Sequence, residues 1–129
     1  LLSMIDKTVY CTGEQDTKYT LNGIKIDVKG DDKEIALIGT DGHRLAYISS
    51  SIETDYTEDI EIVIPKKSIL EIRKFLSGID EDILFDKTHN HIRFYIQDKE
   101  ILSKLLEGKF PDYDKVIPKL NDKKMILDR

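Results

Sequence analysis

The sequence has little of what builds a disulfide framework, a zinc site or a membrane span. A single cysteine, Cys11, excludes an internal disulfide and a multi-cysteine zinc site, and it is best interpreted as a small apolar core residue. No apolar run approaches the ~20 residues that a membrane-spanning helix needs. These absences predict a reduced, cytoplasmic setting and no membrane partner.

Enzyme motifs are also lacking. The chain has no Gly-rich phosphate loop and no nucleophile elbow. His89 and His91 sit in a turn with one residue between them, so they point in different directions and make a poor metal pair. Asp41 and His43 flank Gly42 without an evident nucleophile, and an aspartate in a turn usually bonds its own backbone. We predict a non-catalytic protein without metal or cofactor, and a hydrolase at Asp41 and His43 is the weakest hypothesis.

Acidic residues outnumber basic ones, 25 to 20, which gives a net charge of −5. Autonomous duplex binding rests on neutralising phosphates, so this balance argues against a conventional DNA-binding domain. It does not exclude a protein that surrounds DNA, for which the placement of the basic residues matters more than their number. The 129 residues, 40% apolar and 35% charged, fit a single domain over residues 1–129. Because the chain begins at Leu1, we expect a fragment truncated at its N-terminus.

Hydrophobic periodicity predicts two helices separated by strands. Leu2, Ile5 and Val9 lie at helical spacing, which predicts a helix over residues 1–11. Proline is tolerated at a helix start, and Pro65 opens a second helix over residues 65–76. Strands are predicted over residues 19–29 (with a bulge near Asn22-Gly23), 34–40, 43–50, 60–64, 82–86 and 91–96, and residues 100–106 are ambiguous between helix and strand.

This order of elements, helix then strands, occurs twice at a spacing of roughly 65 residues, within the range of supersecondary units. Two such copies predict an α+β fold with both helices on one face of antiparallel sheet. The second helix also has a basic flank, because Lys66 and Arg73, and likewise Lys67 and Lys74, are seven residues apart and stack on one side. Its predicted buried stripe is Ile69, Ile72, Phe75 and Leu76.

The central feature of the chain is a predicted hairpin. Asp41-Gly42 lies between two β-like runs, residues 35–38 and 45–49, and this dipeptide is a strong hairpin signal. A hairpin alone does not explain why His43 and Arg44 follow at once. The ordinary interpretation is a hairpin tip with solvated charges.

Three strings carry a resemblance to a known family. They are residues 21–23 (LNG), 39–46 (GTDGHRLA) and 106–113 (LEGKFPDY) with Val116-Ile117-Pro118 following. In this order they resemble the middle of the three domains of the bacterial sliding clamp, the beta subunit of DNA polymerase III. The resemblance implies a DNA clamp fold whose helices face the hole of a ring, and it makes residues 100–106 a strand. It further implies a homodimeric ring that encircles duplex DNA as a processivity factor and catalyses nothing.

The resemblance implies that the hairpin forms part of a pocket for short peptides of the replicative polymerase, the clamp loader and other partners. Leu21, Leu45 and Pro118 would be apolar walls, and Gly42 would let a ligand approach the backbone. The implied lining is Leu21, Thr40, Gly42, His43, Arg44, Leu45 and Pro118, with Lys18 on the margin. The last domain of the clamp would supply the opposite wall, so the resemblance implies only a half-pocket here.

The resemblance also implies a surface that attracts DNA phosphates loosely and without sequence preference. Its implied members are Lys7, Gln15, Tyr19, Lys66, Lys67, Arg73 and Lys74. Thr20 departs from the family here, because an aromatic residue is common at that position. Phe110-Pro111-Asp112-Tyr113 is interpreted as a rigid connector whose two aromatic rings pack under the sheet.

An alternative from another class is an autonomous peptide-binding module that pairs its ligand with an exposed strand edge. Such a module would bind as tightly in isolation as within a longer protein.

Overall fold

Two α-helices and seven strands follow one another in the computed structural model, which describes residues 1–14, 19–120 and 122–128. They are α1 (Leu2–Asp6), β1 (Gly23–Lys29), β2 (Glu34–Thr40), β3 (Leu45–Ser51), β4 (Ile60–Pro65), α2 (Lys66–Leu76), β5 (Leu84–Lys87), β6 (His91–Ile96) and β7 (Lys99–Lys104). Every strand pairing is antiparallel, in one sheet of order β3-β2-β1-β4 and another of order β5-β6-β7. The strand predicted over residues 100–106 is therefore confirmed as β7.

Both helices pack on the core that lies beneath the two sheets, and α1 also contacts α2. The α2 stripe is as predicted, with Ile69, Ile72 and Leu76 buried and Phe75 half-buried against the same core. The strands and α1 contribute Met4, Ile5, Ile24, Ile26, Val28, Ile92, Phe94 and Ile96 to this core. The predicted α+β arrangement, a helix followed by antiparallel strands and then a second such unit, is confirmed. Neither described helix has the length and apolar character to cross a membrane.

The first helix is shorter than the predicted span of residues 1–11. It ends at Asp6, and a separate 3₁₀ turn covers Val9–Cys11. The Thr8 hydroxyl donates to the Met4 carbonyl at 2.9 Å, the acceptor that the Thr8 N–H would use in an α-helix, and that N–H bonds Ile5 O instead. The backbone tightens there and the helix stops. Cys11 is buried, 2% exposed, as predicted for a small core residue.

The first strand begins at Gly23 and not at Tyr19, because Tyr19–Asn22 forms a 3₁₀ turn. The phase slip at Asn22-Gly23 therefore marks the start of the strand. Gly23 is required by close packing, since a Cβ there would lie 2.4 Å from the Ile64 carbonyl oxygen of the paired strand β4.

The outer face of the four-stranded sheet is covered by the chain that follows β7. Phe110 is buried with Ala36, Ile38 and Val63, and Tyr113 packs against the same cluster. Leu106 N–H donates to Val63 O at 2.8 Å, which ties this segment to β4. Phe110 and Tyr113 pack against the sheet as predicted, but on its outer face and not on the face that carries the helices.

Candidate functional site

The hairpin between β2 and β3 has a four-residue loop. Thr40 pairs with Leu45, so residues 41–44 lie outside the ladder and β3 begins two residues later than the predicted His43. A two-residue turn of the Asp-Gly type needs positive φ at both central positions, and in this loop only Gly42 has it, at +89°. The hairpin is confirmed, but its loop is longer than a tight turn.

Asp41 determines the shape of this loop. Its Oδ1 accepts hydrogen bonds from the backbone N–H groups of His43 and Arg44, both at 3.0 Å, and its Oδ2 accepts from Arg44 Nε at 2.9 Å. The two backbone bonds, with the Arg44 side chain adding to them, lower the pKa of Asp41 to about 2. An aspartate engaged in this way is a poor general base, which agrees with the structural role expected of it.

Thr40 and Gly42 complete the loop. The buried Thr40 hydroxyl donates to Arg44 O at 2.7 Å and accepts from Gly42 N–H at 3.1 Å. A Cβ on Gly42 would lie 3.8 Å from Leu21 Cδ1, so the backbone of the loop passes directly beside this buried leucine. The chemical result is a short stretch of exposed backbone next to an apolar side chain.

His43 and Arg44 are exposed and face a polar cleft of about 450 Å³. The cleft lies between the hairpin loop, the 3₁₀ turn after α1 and the start of α2. Its lining residues are Tyr10, Thr12, Gly13, Glu14, Asp41, His43, Arg44 and Lys66. Sequence patterns did not indicate Tyr10, Glu14 or Lys66 as neighbours of the loop, because they come from elements that only the fold brings together.

The predicted peptide-binding residues are partly brought together. Leu21 and Thr40 are buried and Leu45 is half-buried, all next to the loop, whereas His43 and Arg44 lie on its polar side. Pro118 is exposed beyond the 3₁₀ turn Tyr113–Lys115 and does not line the polar cleft. Lys18 lies outside the described residues.

Most of the basic side chains on α2 bind carboxylates. The pairs are Lys66 with Glu14 (2.6 Å), Arg73 with Asp6, and Lys74 with Glu71 (2.9 Å). The Arg73 pair links α2 to α1. Each pairing reduces the local positive charge that the flank presents to solvent.

Two of the predicted DNA-facing lysines are exposed and make no ion pair within the described ranges, namely Lys7 and Lys67. For Tyr19 only the backbone, in the turn Tyr19–Asn22, is described. Gln15 lies outside the described residues.

The histidine pair forms no metal centre in the part of the chain that the structure describes. No three His, Cys, Asp or Glu side chains there lie close enough together to hold an ion. His89 is exposed, and His91 Nδ1 is 2.7 Å from Asn90 Oδ1.

Two helices packed on the core beneath two antiparallel sheets form an α+β domain of the DNA-clamp type. Residues 1–112 match the family described as DNA polymerase III beta subunit, central domain, and the chain belongs to that family.

Individual relatives agree with this assignment. The beta sliding clamp of Pseudomonas aeruginosa is 35% identical over all 129 residues, which are 35% of that protein. The beta sliding clamp of Escherichia coli K12 is 35% identical over 120 residues, 93% of this chain and 32% of that protein. The chain thus spans about a third of the length of these curated relatives.

A solved structure confirms the fold. The crystal structure of the DNA polymerase III subunit beta from P. aeruginosa superposes with a TM-score of 0.87 at 34% identity, covering 94% of this chain and 32% of that one.

Proposed function

We propose that residues 1–129 form the middle domain of a bacterial sliding clamp, a non-catalytic processivity factor of the cytoplasm. Three such domains per subunit, and two subunits, close a ring around duplex DNA. The ring tethers the replicative polymerase, the clamp loader and other partners through short peptides. The family membership and the relatives named beta sliding clamp support this proposal.

The proposed peptide pocket is formed in part by the hairpin loop. The observation behind it is that the exposed backbone of Gly42 lies beside the buried Leu21 side chain, so a ligand bound along this backbone would lie over an apolar floor. His43 and Arg44, whose backbone is held by Asp41, supply hydrogen-bond donors at the rim. Leu21, Thr40, Gly42, Leu45 and Pro118 complete the proposed lining, with Lys18 at its margin.

The helices supply the proposed DNA-facing surface. Lys7 and Lys67 are its cations without an ion pair among the residues that the structure describes, and Lys66, Arg73 and Lys74 are cations already bound to carboxylates. Gln15 and Tyr19 are proposed to join them from the segment after α1. Contacts of this kind neutralise phosphates without reading bases, which suits a ring that slides.

Peptide binding by the full-length protein tests the pocket. A fluorescein-labelled peptide with the apolar C-terminal motif of the replicative polymerase is titrated with wild type, His43→Ala and Arg44→Ala, and its anisotropy is measured. We expect each substitution to weaken binding about tenfold, ~1.4 kcal/mol. His89→Ala removes an exposed histidine from the turn between β5 and β6, outside the hairpin loop, and serves as the control.

If both loop variants bind the peptide as tightly as wild type, the assignment of the pocket to this loop is wrong. The strand-edge module is not favoured as an alternative, because the relatives share this domain as one part of a longer clamp chain.

A further inference from the structure

A tyrosine side chain fastens the C-terminal segment to the outer face of β1. The Tyr113 hydroxyl donates to Asp27 Oδ2 at 2.8 Å, and Asp27 is only 6% exposed. The Tyr113 ring is held by Lys25 Nζ, 5.2 Å from its centroid, and by the ring of Tyr47 on β3, at 5.9 Å. Burial and then the bond to Asp27 raise the pKa of Tyr113 above its ordinary value of 10, so the phenol remains a donor.

This hydrogen bond satisfies one of the two oxygens of the buried Asp27 carboxylate. Its other carboxylate oxygen, Oδ1, is buried without a hydrogen-bond partner, and the nearest cation is Lys29 Nζ at 3.7 Å. Within the described residues, Tyr113 therefore makes the only hydrogen bond to a carboxylate that is hidden from water. A buried carboxylate left unsatisfied is costly, so the connector and the sheet are held strongly together at this point.

The backbone of Tyr113 fixes the residues that follow it. Its carbonyl accepts hydrogen bonds from Val116 N–H at 3.0 Å and Ile117 N–H at 3.2 Å. Pro118 comes next, and the proline ring restricts its own φ and the conformation of Ile117. The place of Pro118 therefore depends on where Tyr113 is held.

We infer that Tyr113 is a positioning residue for the peptide pocket: its hydroxyl, held by Asp27, sets where Pro118 stands as an apolar wall. This inference rests on the proposed function. Phe110 anchors the same connector by apolar packing eight residues before Pro118, whereas Tyr113 is closer to Pro118 and its carbonyl accepts the hydrogen bonds of the turn. Removing the Tyr113 hydroxyl breaks the bond to Asp27 and leaves the ring with its contacts to Lys25 and Tyr47, so the turn and the wall that follows it are held less firmly.

Tyr113→Phe in the full-length protein tests this role, with the same fluorescein-labelled polymerase peptide as probe. We expect affinity to fall by about threefold to tenfold, the size typical of residues that act on a site through others. Tyr47→Phe is the matched control, because Tyr47 belongs to the same aromatic pair and its hydroxyl makes no hydrogen bond in the described structure. It is expected to bind the peptide as wild type does.

A double-mutant cycle separates positioning from a loss of stability. Pro118→Ala is combined with Tyr113→Phe, and the double variant is expected to bind no more weakly than Pro118→Ala alone, since both act through one wall. The double variant with Tyr113→Phe and Tyr47→Phe should bind the peptide with the same affinity as Tyr113→Phe alone. If Tyr113→Phe acted only by reducing the amount of folded protein, its fold-loss in affinity would multiply with that of Pro118→Ala. Such independent effects in the double variant would overturn the inference.

The outcomes also separate this inference from the proposed function. If wild type does not bind the peptide, or if neither His43→Ala nor Pro118→Ala weakens it, the pocket itself is wrong. If those variants weaken binding and Tyr113→Phe does not, only the positioning role is overturned.

Discussion

Arg44 is bound twice by Asp41, once through its backbone N–H at 3.0 Å and once through Nε at 2.9 Å. The first bond fixes the backbone of the hairpin loop, and the second holds the guanidinium close to it. A side chain restrained in this way loses less conformational freedom when a ligand binds. In the proposed pocket, Asp41 would therefore prepare the loop for recognition without touching the ligand itself.

The Asp41 carboxyl should titrate near pH 2. Its folded pKa lies below its ordinary value of 3.8, so the stabilisation it gives is present above that value and is lost as the pH falls through about 2. ¹³C NMR titration of the side-chain carboxyl measures this midpoint directly. A midpoint at 3.8 or above would show that the three hydrogen bonds do not persist in solution.

Amide hydrogen exchange at His43 and Arg44 tests the same backbone hydrogen bonds to Asp41. Asp41→Ala removes the acceptor of both N–H groups and should accelerate their hydrogen exchange, while the flanking ladder from Thr40 to Leu45 stays protected. Asp31→Ala, in the exposed turn between β1 and β2, is the control and should leave both rates unchanged.

Truncating a side chain on the buried face of α2 should destabilise the protein much more than truncating one on its exposed face. Ile69 is 1% exposed and Leu70, the next residue, is 39% exposed. Ile69→Ala leaves a cavity in the core, so we expect it to lower the free energy of unfolding by about 2–5 kcal/mol. Leu70→Ala makes the same kind of truncation at the surface and should cost below about 1 kcal/mol. Urea denaturation followed by circular dichroism gives both values, and equal losses would mean that α2 packs differently.

Local patterns were sufficient for α2 and for the strands of the hairpin, since these elements follow from periodicity, proline and turn chemistry. They were insufficient where a polar side chain takes over a backbone bond, as Thr8 does at the end of α1 and Asp41 does in the loop. They also gave no sign of the ion pairs. Glu14 and Lys66 are 52 residues apart, and Asp6 and Arg73 are 67 apart, so only the folded packing of α1 and the segment after it near α2 brings them together.

Those ion pairs lead to a prediction about the proposed DNA surface. Lys67 is exposed and unpaired within the described residues, so it is free to contact a phosphate. Lys67→Ala in the full-length ring should reduce the slope of log K for a short duplex against log salt by about 0.9 for each subunit whose Lys67 contacts a phosphate. Asp6→Asn should act in the opposite direction, because it releases Arg73 from its carboxylate.

The control for this experiment is Lys99→Ala, which removes the same charge from the start of β7 in the three-stranded sheet. Fluorescence anisotropy of a labelled duplex at several salt concentrations gives the slopes. If Lys67→Ala and Lys99→Ala have the same effect, the DNA-facing role of α2 fails, since net charge alone would then account for both.

The isolated domain should bind the polymerase peptide more weakly than the full-length protein. In the proposed clamp the last domain supplies the opposite wall, and residues 1–129 present only Leu21, the hairpin loop and Pro118. A ligand in contact with one wall buries less apolar surface, so we expect a loss of at least about tenfold, ~1.4 kcal/mol. Thermal unfolding of the isolated chain must first show that it is folded, as the core beneath both sheets predicts. Equal affinity of the two proteins would contradict the half-pocket and restore the strand-edge module, for which the rest of the clamp is irrelevant.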